Sequence, residues 1–93
     1  MKLKVVKPES IIWSAETREV TLNDGERDIT IRYYDAWEGS ETHIRINDGE
    51  LLQDWEVEDE SLVELVNKVT SAFKADFFNN VGQEIDVQEL DEF

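Results

Sequence analysis

The chain has no cysteine, a single histidine, a single proline and four glycines, and only nine of its 93 residues are basic. Without cysteine there is no disulfide framework, thiolate nucleophile or cysteine zinc site, which agrees with a reducing compartment; the cytoplasm is the expected location. No run of about 18 apolar residues occurs. The opening stretch Met1 to Pro8 lacks the apolar core of a signal peptide, so neither membrane spanning nor export by that route is expected. The glycines, at 25, 39, 49 and 82, are scattered and build no phosphate-cradling loop. Catalysis is short of material. His43 stands beside Glu41 and Thr42 with no second histidine, and reads as a strand surface residue rather than an acid, base or ligand. Paired carboxylates could do glycosidase work only in a deep cleft that splits their pKa values. No catalytic residue, cofactor or metal site is expected.

What the chain has in excess is acid. With 23 Asp and Glu its net charge is −14, well past the magnitude of about 2–8 that solubility requires. Such a charge disfavours nucleic acid as a direct ligand and favours a basic protein surface. The 40% hydrophobic content, three tryptophans and clear periodicity oppose disorder. Residues 1–93 read as a single α+β domain. The acids are unevenly placed: Met1 to Ile46 holds 9 acids and 7 bases, whereas Asn47 to Phe93 holds 14 acids against Lys68 and Lys74. Such asymmetry marks an interaction surface or a solvated face.

Asn-Asp-Gly occurs at Asn23 and again at Asn47, each time between alternating apolar runs, which predicts two hairpins. A calcium loop would need further oxygen ligands and a closing glutamate at fixed spacing. The first hairpin pairs Glu19 to Leu22 with Arg27 to Tyr34, where Ile29, Ile31 and Tyr33 share one face. The second pairs His43 to Ile46 with Leu51 to Val57, where Leu51, Trp55 and Val57 point inward. The expectation is an antiparallel meander of about four strands, with Asp35 to Thr42 as an irregular loop carrying Trp37. Ser61 and Glu64 form a capping box before Leu62, Leu65, Val66, Val69, Phe73 and Phe77, a helical stripe that should cover the sheet and end at Asn79, Asn80 and Gly82. Lys2 to Val6 alternates like an edge strand, followed by a turn; Pro8 could alternatively open a short helix through Trp13. Gln83 to Phe93 reads as a short strand, a helical turn or a frayed tail.

In this reading Asp54, Glu56 and Glu58 project from one strand face about 6.6–6.8 Å apart, comparable to successive phosphates of a nucleic-acid strand. Asp59, Glu60 and Glu64 extend the display to the helix start, where they suit its positive end. The plainer reading of these acids is a solvated outer face. Tyr34, on the polar strand face with Arg32, and Trp37, in its loop, are candidate interface anchors. Trp55 is assigned to the core.

The segment "NDGELLQDWEVEDESLVELVNKVTSAFK", Asn47 to Lys74, resembles the hairpin-to-helix region of small phage type II-A anti-CRISPR proteins, which inhibit an RNA-guided DNA nuclease. It shares an Asn-Asp-Gly turn, a strand, an acidic run into "ESLV" and a helix closing in "SAFK". The resemblance implies occupation of the nuclease's basic site for the protospacer-adjacent motif, where arginines read DNA. It carries Asp48, Glu50, Asp54, Glu56, Glu58, Asp59 and Glu60 over as the partner-binding acids.

The expected function is therefore a non-catalytic acidic inhibitor that mimics nucleic acid and occupies a basic DNA-binding site. The alternative is an immunity protein or antitoxin that neutralises a basic protein through Tyr34 and Trp37; a small accessory domain with no strong partner is a third reading. Monomer and homodimer both fit, the latter through the sheet edges at Lys2 to Val6 and the C-terminal stretch.

Overall fold

The computed structural model describes residues 1–13 and 16–93. Six strands, β1 (Lys2–Ile11), β2 (Thr17–Asn23), β3 (Asp28–Ala36), β4 (Gly39–Ile46), β5 (Leu52–Gln53) and β6 (Glu84–Asp86), form one antiparallel sheet in the order β5-β4-β3-β2-β1-β6. Among the described residues, one α-helix, α1 (Glu60–Ser71), and two 3-10 helices, Asp54–Glu56 and Val87–Glu92, accompany the sheet. The architecture is α+β.

Alternation decides the faces. Register sets Leu22 opposite Ile29, Val20 opposite Ile31, and Ile31 in turn opposite Ile44, so these side chains share one face. They are buried beneath Leu62, Leu65, Val66 and Val69 of α1. A chain of edge-to-face rings continues this core. Tyr33 meets Phe73 at 6.4 Å between centroids, Phe73 meets Phe78 at 6.2 Å, and Phe78 meets Phe77 at 5.2 Å. The same register puts Glu19, Thr21, Thr30, Arg32, Tyr34, Glu41, His43 and Arg45 on the opposite face. That face is held by Thr21 bonding Thr30 across the strands at 3.0 Å and by the Arg32–Glu19 ion pair at 2.9 Å.

Several expectations are corrected. The sheet has six strands rather than about four, because the N-terminal segment is a ten-residue strand and the C-terminal stretch returns to pair with it, Leu3 opposite Ile85. β1 is thus internal near its start, and no helix opens at Pro8. Its register with β2 shifts on both sides of Lys7, beside Pro8, which has no N–H to give the ladder. The C-terminal stretch is both a strand and a helical turn, with Leu90 in the core.

Asp35 to Thr42 is not an irregular loop. β3 and β4 pair to the end, Ala36 opposite Gly39, leaving only Trp37 and Glu38 as the turn. Gly39 adopts φ +139, a region L-residues avoid. Asn23-Asp24-Gly25 falls at the β2–β3 connection, where four residues intervene between Asn23 and its partner Asp28. The Asp24 carboxylate accepts from the N–H groups of Glu26 and Arg27, both at 3.0 Å. The second copy leaves β4 with Asn47 at φ 53, and its side-chain oxygen accepts from Asp28 N at 2.9 Å.

The helix limits also differ. Asp59, not Ser61, is the N-cap: its carboxylate accepts from Ser61 N at 3.1 Å, Leu62 N at 3.3 Å and the Ser61 hydroxyl at 2.7 Å. A carboxylate there satisfies two free N–H groups and adds favourable charge at the positive helix end. α1 stops at Ser71, eight residues before Asn79, because the chain turns through left-handed conformations at Lys74 and Asp76. Glu9 fixes that turn by accepting from Lys74 N at 3.0 Å. Phe73 and Phe78 reach the core from outside the helix, and Phe77 is half-buried beside them.

Candidate protein-binding edge

The acidic segment begins where β4 ends. Asp48 and Glu50 lie in the loop from Asn47 to Leu51, both exposed. β5 then pairs through only two residues, Leu52 with Ile44 and Gln53 with His43. Beyond Gln53 the chain curls into the 3-10 helix instead of extending. Val57 N donates to Asp54 O at 3.2 Å, and the Glu56 carboxylate accepts from Gln53 N at 3.0 Å. This corrects the strand expected from Leu51 to Val57: Asp54, Glu56 and Glu58 do not form a row on one strand face. Curling separates carboxylates that an extended strand would align, and it anchors Glu56 to the backbone. It also turns Trp55 outward, 79% exposed, where the alternating pattern places it in the core. Leu51 and Val57 are half-buried, and Val57 packs against the core.

Glu58, Asp59, Glu60 and Glu64 carry the acid over the connection and along the first turns of α1, all exposed. The Ser61 hydroxyl and the Leu62 and Ser61 N–H groups hold the Asp59 carboxyl below the ordinary aspartate range. The structure therefore keeps the eight sequence-identified acids together along the β5 edge and the helix start, although not in the expected row.

Some acids elsewhere in the fold are held in ion pairs. Glu9, Glu19, Asp24, Asp35, Glu41 and Asp91 each face a basic side chain within 4.0 Å, the Glu41 partner being His43. Among the described residues, none of Asp48, Glu50, Asp54, Glu58, Glu60 and Glu64 has such a partner. No Lys or Arg lies between Arg45 and Lys68. The edge is a concentrated negative field, which steers cations and basic surfaces.

The aromatic candidates lie at one end of the sheet. Tyr34 pairs opposite Glu41 near the end of β3 and is 40% exposed; Trp37, at the tip of the β3–β4 turn, is 95% exposed. Because Gln53 pairs with His43, the chain leaving β5 heads towards this end before it curls at Trp55. Ile11 pairs with Arg18, and Arg18 with Tyr33, so β1 finishes at the same end, where Trp13 is 73% exposed. Sequence reasoning missed Trp13 and Trp55 as surface residues. Their spacing suits a core, and no local signal distinguishes an outward indole from an inward one at an irregular strand end.

Among the described residues, no three His, Cys, Asp or Glu side chains converge in a way that could hold a metal ion, and no helix is long and apolar enough to cross a membrane. No protein-family model, curated protein or solved structure matches this chain.

Proposed function

We propose that this protein is a non-catalytic inhibitor that lays its acidic edge into the basic nucleic-acid-binding cleft of another protein. The observation that carries the reading is the run of acids from Asp48 to Glu64 with no intervening base, set along one sheet edge and one helix start. Desolvating that many carboxylates is tolerable only against a surface that supplies cations. The resemblance of Asn47 to Lys74 to small phage type II-A anti-CRISPR proteins points to the guide-loaded type II nuclease as the first target, with Asp48, Glu50, Asp54, Glu56, Glu58, Asp59 and Glu60 facing its basic site. Mimicry here rests on charge density along the edge rather than on a regular strand spacing.

The test is competition for DNA. Purified protein should block target-DNA binding by the guide-loaded nuclease, and Asp54→Asn/Glu56→Gln/Glu58→Gln should lose that block while melting like the wild type. Absence of inhibition across several orthologous nucleases would sink the target assignment. The exposure of Trp37 and Trp55 supports a second reading, an immunity or antitoxin role against a single basic protein. It predicts that truncating the aromatics weakens binding more than neutralising the edge does.

A further inference from the structure

We infer that the sheet end carrying Tyr34, Trp37 and Trp55 is an arginine-recognition surface, built to take guanidinium groups from the basic protein that the acidic edge attracts. The inference rests on the reading that the partner is a basic protein, and it adds which basic side chain is read and by what.

Three observations meet at this end. Trp37 and Trp55 are the two most exposed tryptophans, and each carries carboxylates beside it in the chain, Glu38 next to Trp37 and Asp54 and Glu56 on either side of Trp55. At the β3–β4 tip, Tyr34, Glu38, Gly39, Ser40 and Glu41 enclose a hollow of about 310 Å³ with one aromatic ring and two carboxylates in its wall. The third observation is internal. The Arg32 guanidinium carbon lies 4.6 Å from the Trp13 ring centroid while the same guanidinium pairs with Glu19 at 2.9 Å. This fold thus already binds one guanidinium between an indole and a carboxylate at this end of the sheet. Among the described residues no cation stacks on Trp37 or Trp55.

The chemistry favours arginine over lysine. A planar, weakly hydrated guanidinium can lie on an aromatic face and still give in-plane N–H bonds to carboxylates, whereas an ammonium is a compact and strongly hydrated point charge. Exposed indoles can also stack nucleobases, but the carboxylates around these rings repel a phosphate backbone.

Nona-arginine and nona-lysine, of equal charge, are the probes. They are titrated into the whole protein at about 0.1 M salt, with tryptophan fluorescence and calorimetry as readouts. Nona-arginine should bind about 5-fold or more tighter than nona-lysine, as two stacking contacts imply. That preference should vanish in Trp37→Ala/Trp55→Ala and shrink in Glu38→Gln/Glu41→Gln, with melting unchanged in the first because both rings are exposed. Asp54→Asn/Glu56→Gln/Glu58→Gln should weaken both peptides. Equal binding of the two peptides by wild type, an arginine preference that survives loss of both indoles, or tighter binding of an oligothymidine would each overturn the inference. A nuclease that is not inhibited while the arginine preference holds would instead count against the target proposed above.

Discussion

Glu9 shows how one side chain organises distant parts of this chain. Its carboxylate, almost fully buried, takes Arg18 from β2 at 2.6 Å and Lys74 N from the turn after α1 at 3.0 Å, so the strand, its neighbour and the helix exit meet on one group. Glu9→Ala leaves a half-buried guanidinium and a backbone N–H without their acceptor and should cost about 1–2 kcal/mol in urea unfolding; Gln should recover part of it. The sequence offers no hint of this role, because Glu9 lies 65 residues from Lys74. Asp59 and Asp24 give a pH dependence. Burial pushes Asp24 up, but the N–H groups of Glu26 and Arg27 and the Arg27 side chain outweigh it, and hydrogen bonds from Ser61 and Leu62 lower Asp59. A carboxylate whose folded-state pKa is depressed stabilises the fold above its ordinary value, 3.8 for aspartate, and loses that contribution as pH falls through the lowered one. Urea midpoints measured from about pH 5 down to about pH 2 should therefore fall at the acid end, and Asp59→Asn should flatten that fall.

At the scale of elements, the strand alternation of β2, β3 and β4 and the apolar stripe of α1 are legible in the residues, because burial imposes periods of two and 3.6 on whichever segment covers the core. The ends of those elements are not. Whether Asp35 to Thr42 loops out or closes as a two-residue turn depends on pairing across the strands, and the decisive local feature is Gly39 at φ +139. A Cβ there meets nothing within 4 Å, so Gly39→Ala should cost about 1–2 kcal/mol through backbone strain alone, read as a lowered urea midpoint. The curl after Gln53 makes the opposite kind of prediction. With Trp55 outward, Trp55→Ala should change stability by no more than about 0.5 kcal/mol, where a core indole would cost about 3–5. A large loss would restore the extended strand that the alternation suggests.

Across the whole molecule, a net charge of −14 on 93 residues acts on stability and on binding with opposite signs. Self-repulsion of the folded chain weakens as salt screens it, so the melting temperature should rise between about 0.02 and 0.5 M salt. Over the same range the affinity for a basic partner should fall steeply. Parallel melting and binding titrations separate the two effects, and an affinity indifferent to salt would count against a charge-driven interface. The sequence by itself determined the acidity, its concentration after Asn47, the α+β class and the apolar faces, because composition and short-range periodicity depend only on local residue order. Tertiary structure alone decided that the C-terminal stretch returns to β1, that Asp54 to Glu56 leave the sheet, and that Trp13, Tyr34, Trp37 and Trp55 stand exposed. Each of these depends on which segment pairs with which, a choice made by burial and hydrogen bonding between residues far apart in the chain.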